Sequence, residues 1–392
     1  MHILVLIHAF EPGGVERVGL RLGERWRAEG HEVTILLGRD RGPCRDQRPE
    51  LTYRRFAEPF STARWETVWM MACLVRYLLR ERADAIFCPG LTYTAPCVVA
   101  KLLLGRRCPP VLVKVSNDLD RPDIGRLLQW PYRAWLWMQG RLLEQFVAIG
   151  PPMRKPIARA MRIEPECVSV VPDPALSQAQ IEELSRPRDR KIGRRPGRGR
   201  RFLAVGRLAP QKNFSLLVDA FARMATPEDQ LVIAGEGPCR AALERRVSRL
   251  GLAAQVSMPG HVCDVAALYR HSDALVLSSD YEGVPGVVIE ALAAGLPIAA
   301  TSCCDSMRWL LGKGSYGALA PCGDAAALAC AMEQAGGREM PRAELSAFVS
   351  AFTLERAAGD YLALLGRICA SPARVRKGAR AAPVRERTGR VV

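Results

Sequence analysis

No two cysteines in this 392-residue chain are spaced Cys-x-x-Cys, no apolar run approaches a membrane span, and no aromatic residue interrupts its arginine-rich segments. Each absence closes off a class of function. Of thirteen cysteines only Cys303 and Cys304 are adjacent, and the one close His/Cys pair, His261 and Cys263, falls short of a zinc pattern. No metal site is expected, and the scattered thiols suit a reducing compartment. The longest apolar stretch, VWMMACLV before Arg76, is well below the roughly 20 residues that cross a bilayer. The opening MHILVLIHAF lacks the basic flank and small-residue cleavage site of a signal peptide, and is expected to be a buried strand.

The formal charge of +16 suggests a polyanionic partner until its distribution is examined. Residues 186–201 hold nine basic side chains against one acidic, and residues 371–392 hold seven against one, leaving only +2 for the rest. The basicity thus lies in Pro/Gly/Arg-rich stretches, expected to be a linker (176–201) and a disordered tail (371–392). Attraction to an anionic membrane, worth about 1 kcal/mol per basic residue at the surface, is a second reading of them. Nucleic acid is disfavoured because no aromatic side chains are available to stack on bases.

With 49% hydrophobic and 24% charged residues the remainder is globular, and its length suggests two domains. ILVLIH, a glycine turn, a helix bearing Val15, Val18, Leu22 and Trp26 on one face, and HEVTILL form a β-α-β unit. ADAIFC, PPVLVKV and EQFVAIG continue the alternation, and the pattern restarts after the basic segment with RFLAVGRL, DQLVIAGEG, AQVSMPG, DALVLSS and PIAATS. The expected fold class is α/β: two tandem doubly wound, Rossmann-like domains, 1–175 and 202–370, facing across a cleft. FTLERAAGDYLALLGRI, residues 352–368, reads as a closing amphipathic helix of the second domain. The tryptophan-rich WPYRAWLWMQGRLL reads first as core; Arg126, Arg133 and Arg141 nearby give it a second reading as an interfacial surface.

The stretch SSDYEGVPGVVIEALAAG places Glu282 and Glu290 in an otherwise small, apolar run. Carboxylates in such a setting call for a partner. If DALVLSS is a strand, Glu282 lies on its exit loop and Glu290 about one turn into the following helix. The free amides of Gly286, Val287 and Val288 at that helix start would then suit a phosphate. The exit loop GRLAPQKNF supplies Arg207 and Lys212, a guanidinium fork and a point charge for a diphosphate. Glu290 could then accept both hydroxyls of a ribose, and Glu282 the hydroxyls of a sugar. The first glycine turn, G-G-V-E-R, carries neither G-x-G-x-x-G nor a P-loop lysine, and His8 and His261 near strand ends are read as packing residues.

E-G-V-P-G-V-V-I-E, with G-R-L-x-x-Q-K-N-F, A-G-E-G-P and G-G-V-E-R, resembles the retaining glycosyltransferases of family four, which have the GT-B fold. The resemblance runs over residues 1–370. It implies a retaining, metal-independent hexosyl transfer from a nucleotide-diphosphate sugar to a glycan or lipid-linked acceptor in polysaccharide or lipopolysaccharide biosynthesis. No cofactor is implied. It also implies a cytoplasmic protein, with peripheral contact at the inner membrane face as a further option. Arg207, Lys212 and Glu282 would be catalytic; Gly13, Gly14, Gly286, Val287, Val288 and Glu290 would bind donor beside them. The chain has Pro285 and Gly286 where the family often has glycine and leucine. It has Ser116, Asn117 and Asp118 where many members carry a histidine, which makes Asn117 and Asp118 acceptor-side candidates. Alternatives are a nucleotide-sugar epimerase or phosphorylase-like enzyme of the same architecture, or a nucleic-acid-associated protein acting through the arginine-rich segments.

Overall fold

The computed structural model describes residues 1–392 apart from 12–13, 43, 49, 60, 117–118, 120–124, 187–198, 263, 339 and 371–392. The strands are β1 (His2–Ile7), β2 (Glu32–Leu37), β3 (Thr52–Arg54), β4 (Ala85–Cys88), β5 (Val111–Val115), β6 (Gln145–Ala148) and β7 (Val168–Val170) in the first half. In the second they are β8 (Arg201–Val205), β9 (Gln230–Ala234), β10 (Val256–Gly260), β11 (Ala274–Leu277), β12 (Ile298–Thr301) and β13 (Gly317–Ala320). Two separate sheets result, ordered β3-β2-β1-β4-β5-β6-β7 and β10-β9-β8-β11-β12-β13. Every pairing is parallel. Strands such as β4, β5 and β11 are buried along their whole length, as helices on both faces require.

The strand order reverses between β1 and β4 and again between β8 and β11. A doubly wound sheet opens its ligand crevice at such points, outside the carboxyl ends of the strands. The exit loops of β8 and β11 are therefore neighbours, although their residues are far apart in sequence.

Two expectations about the domains need correction. Leu354–Ala370 forms a helix as expected, but its buried Ala358, Tyr361 and Leu365 pack with Trp26 and Phe87 of the first domain. The Trp26 indole N–H donates to the Ala358 carbonyl at 3.1 Å, and the Tyr361 ring meets Phe87 edge-on at 5.3 Å. The apolar stripe of this helix matches the first sheet's outer face, so the chain crosses back before it ends. Nor is 176–201 linker throughout. Gln178–Leu184 is a helix with a Ser177/Gln180 capping box, and its Leu184 belongs to the second-domain core. Residues 187–198 of that segment and the tail lie outside the described residues, and Arg201 at its end already belongs to β8.

The two crossing segments meet. Leu176 and Thr353 form a parallel bridge, with the Leu176 amide bonded to the Phe352 carbonyl and the Leu354 amide to the Leu176 carbonyl at 2.8 Å. Beside the crossing, fully buried Lys114 of β5 pairs with Asp173 at 2.6 Å.

Candidate functional site

Gly206 follows β8 and Gly235 follows β9, with φ of 159° and 144°. A Cβ on Gly235 would collide with the Gly206 carbonyl, so only glycine lets these loops nest. The chain then runs through Arg207 to Pro210–Lys212, a single 3-10 turn. Asn213 adopts the left-handed region at φ 42° and caps the helix Phe214–Met224, its side chain accepting from the Leu216 amide at 3.2 Å. This geometry turns Lys212 toward the exit loop of β11.

There Lys212 Nζ meets Glu282 Oε1 at 2.5 Å. Ser279 Oγ donates to the same carboxylate oxygen at 2.7 Å. Three further bonds clamp the two loops: Gln211 Nε2 to the Tyr281 carbonyl (2.8 Å), Asn213 Nδ2 to Asp280 Oδ1 (2.8 Å) and Ser278 Oγ to the Lys212 carbonyl (2.8 Å). From beneath, the Cys303 carbonyl after β12 accepts the Glu282 amide at 3.1 Å. Arg207 is exposed, and its guanidinium makes no hydrogen bond or ion pair among the described residues. An oriented carboxylate, an ammonium and an uncommitted guanidinium thus share one rim.

The helix Gly286–Ala293 begins beside them with Pro285 at its N-cap and no side chain capping it. A Cβ on Gly286 would meet nothing within 4 Å, so the approach to this helix end is open. Gly286 and Val287 are the first residues of this helix, where backbone amides lack a carbonyl one turn earlier to bond. Val288 departs from the expected set of free amides, because its amide already donates to the Pro285 carbonyl at 3.0 Å. The helix closes at Gly295, where φ of 67° allows the reversal.

Glu290 is oriented from within the fold: its Oε2 accepts a hydrogen bond from Tyr269 OH at 2.7 Å, which leaves Oε1 and a second lone pair of Oε2 for an outside partner. Burial, and then the charge of Glu290, push the Tyr269 phenol well above its ordinary range, so it remains a donor and orients the carboxylate. Tyr269 lies on the preceding helix, Val265–Arg270, and nothing in its local sequence signals this role. Gln211, Asn213 and Ser279 belong to quoted motifs, and polar residues in a strand-exit loop were the available clue.

On the first domain, Gly14 opens the helix Gly14–Ala28 with open space around its Cα, while Gly13, Asn117 and Asp118 lie outside the described residues. Adjacent to the last two, Ser116 Oγ is buried without a hydrogen-bond partner among the described residues. At the end of β1, the His8 amide donates to Tyr93 OH, which donates in turn to Glu16 Oε1, both at 2.9 Å. The His8 ring lies 4.3 Å from that of Tyr93, and burial followed by Arg39 lowers its pKa to about 4. The half-buried Val284, in the loop after Glu282, packs against both the first-domain core and the second. His261 is exposed on the second domain. No group of three or more potential metal ligands occurs among the described residues.

Residues 12–174 match the family described as Glycosyltransferase Family 4, and residues 185–346 match Glycosyl transferases group 1. The lipopolysaccharide core biosynthesis glycosyltransferase LpsD of Rhizobium meliloti is 24% identical over 87% of this chain and 90% of its own length. LpsE of the same organism is 29% identical over 42% of this chain and 48% of its own. For LpsE and other curated relatives, the chain thus spans about half their length or less. The crystal structure of Anabaena HepE in complex with UDP superposes with a TM-score of 0.71 at 18% identity, covering 94% of this chain and all of that one. The architecture is accordingly GT-B, with a Glycosyltransferase Family 4 match over most of the first domain and a Glycosyl transferases group 1 match over most of the second.

Proposed function

We propose that the protein transfers a sugar from a nucleotide-diphosphate donor to a saccharide or lipid-linked acceptor, with retention at the anomeric carbon, during assembly of a bacterial lipopolysaccharide or polysaccharide. The observation that carries this reading is the Lys212–Glu282 pair at 2.5 Å, set beside an unpaired Arg207 and the open start of the Gly286 helix. Arg207, Lys212 and the amides of Gly286 and Val287 would neutralise the diphosphate, with Gly14 facing it from the other domain. Glu290, aimed by Tyr269, would accept both ribose hydroxyls, and Glu282 the hydroxyls of the donor sugar.

In the reaction the bond from anomeric carbon to phosphate oxygen breaks. The acceptor hydroxyl oxygen bonds to the same face of that carbon, and its proton passes to the departing phosphate. Negative charge develops on the leaving diphosphate, so preorganised cations and amides there supply the main stabilisation of the transition state. This path needs no metal ion. HepE has been captured with UDP and with UDP-glucose, which supports a nucleotide-sugar donor in this architecture. LpsD and LpsE support the biosynthetic setting. Peripheral contact with an anionic membrane belongs to the same proposal. No helix among the described residues is long and apolar enough to cross a bilayer.

Thermal unfolding against a panel of nucleoside diphosphates tests the donor half. Ligand at about 100 times its Kd adds roughly 2.7 kcal/mol to the native state, a shift a melting curve resolves. One nucleobase should stabilise the protein. Arg207→Ala, Lys212→Ala and Glu290→Ala should each weaken that ligand by about 2–4 kcal/mol, roughly 30- to 1,000-fold, whereas Glu282→Ala spares nucleotide binding and lowers turnover. If no nucleoside diphosphate shifts the curve, the donor assignment is wrong.

A further inference from the structure

A cavity of about 550 Å³ opens on the first domain beyond the carboxyl ends of β2 and β3. Arg39, Asp40, Arg41, Arg55 and Glu58 line it. It adjoins the turn that leads to Gly14: the Arg39 amide donates to the His8 carbonyl at 2.7 Å, and the Phe10 amide to the Arg41 carbonyl at 2.8 Å. None of its residues belongs to the donor site described above.

Its charges are unbalanced. Asp40 alone faces three guanidinium groups, accepting from Arg45 at 2.9 and 3.2 Å, from Arg48 at 2.9 Å and from Arg55 at 3.3 Å. The bond from Arg45 holds the Asp40 carboxyl below its usual range, so one negative charge meets three positive ones at neutral pH. Like charges gathered on a surface separate unless something holds them. Arg48 is held by stacking over Phe10 and Tyr53, with its guanidinium carbon 5.7 and 5.5 Å from the ring centroids. Two donors on the cavity wall remain unused. The Arg41 guanidinium has no partner among the described residues, and Arg39 Nε is buried without an acceptor while its outer nitrogen pairs with Glu66.

We propose that this cavity binds a phosphate carried by the acceptor, so that the acceptor is a phosphorylated saccharide or a lipid-linked saccharide phosphate. A phosphate dianion would balance the two surplus charges. Its oxygens match the forked guanidinium donors of Arg41 and Arg55, which a neutral sugar cannot satisfy. Glu58, which already holds Thr62 through its amide and hydroxyl, would accept a hydroxyl of the adjoining sugar. The proposal rests on the glycosyl-transfer reading and specifies the acceptor class of that reaction.

The test titrates the full chain, with its donor site saturated by UDP, with a hexose phosphate and with the same hexose unphosphorylated. A parallel arm uses vesicles carrying a polyprenyl phosphate. At least one phosphorylated probe should bind and the plain hexose should not. Arg41→Ala and Arg55→Ala should each weaken that binding about tenfold or more. Binding of the soluble probe identifies a saccharide phosphate as the source, and binding of the vesicles alone identifies a lipid phosphate. The proposal is overturned if neither phosphorylated probe binds, or if one binds equally to the Arg41 and Arg55 variants. UDP binding, recorded first in the same samples, separates that outcome from failure of the donor assignment.

Discussion

Lys212 and Glu282 stand seventy positions apart and meet at 2.5 Å because β8 and β11 are neighbours in the second sheet. Each residue was legible as a candidate from its own motif, but their pairing was not, since a side-chain contact between loops depends on strand order. Tyr269 was invisible for the same reason: a tyrosine on a helix looks like packing until the next helix brings a carboxylate to its hydroxyl. His8 is the residue on which pH should act. Its pKa of about 4 in the fold compares with 6.5 for an ordinary histidine. Between those values the unfolded chain binds a proton that the native state refuses, so stability falls as pH drops from 6.5 toward 4, by up to about 3 kcal/mol. His8→Gln should lose less stability across that window than the parent. Urea unfolding at pH 7 and pH 4.5 would measure the difference, and parallel losses in the two proteins would show that His8 does not titrate this way.

The Arg126–Leu142 helix shows how an element divides residues of one type between two roles. Trp135 packs against the first-domain core, as expected for this tryptophan-rich stretch, with Leu136 buried beside it. Trp130 is 78% exposed and Trp137 42%, which corrects the core reading for those two. With Leu127, 94% exposed, they recur at helical spacing as one outward stripe, and Arg141 stacks on Trp137 at 5.6 Å. An aromatic stripe edged with arginine suits the interface of an anionic bilayer. The protein should therefore sediment with phosphatidylglycerol vesicles at low salt, and Trp130→Ala/Trp137→Ala should reduce that partitioning about tenfold. Equal sedimentation of the variant would exclude this helix as the contact. Composition alone could not separate the three tryptophans, because only the direction of the helix against its sheet decides which of them face inward.

Across the whole molecule, the last helix ties the end of the chain to its beginning. Tyr361 is fully buried among Trp26 and Phe87, so Tyr361→Ala should cost about 3 kcal/mol, a truncation of the order seen when a large core ring is removed. The loss should appear in the first domain. Hydrogen exchange should quicken in β1 and β4 before β8, and quickening confined to β8 and β9 would contradict the packing. The crossing at Leu176 and Thr353 bonds the two connecting segments to each other.

Much of the architecture was settled by sequence alone. Unbroken apolar runs such as those of β1, β5 and β11, separated by amphipathic helices and glycine turns, permit little besides parallel sheets covered on both sides, and ten of the strands were legible this way. The short β3, β7 and β13 carry too few residues for a period to show. The motif residues Arg207, Lys212, Glu282 and Glu290 were also legible, because charge in an apolar strand exit is costly unless it is used. Tertiary structure decided which of these groups meet, which oxygen of Glu290 is taken, that Val288 has no free amide, and that the final helix packs on the first domain. Those outcomes depend on strand order and on chain crossings, and contacts between residues so far apart leave no local pattern to read.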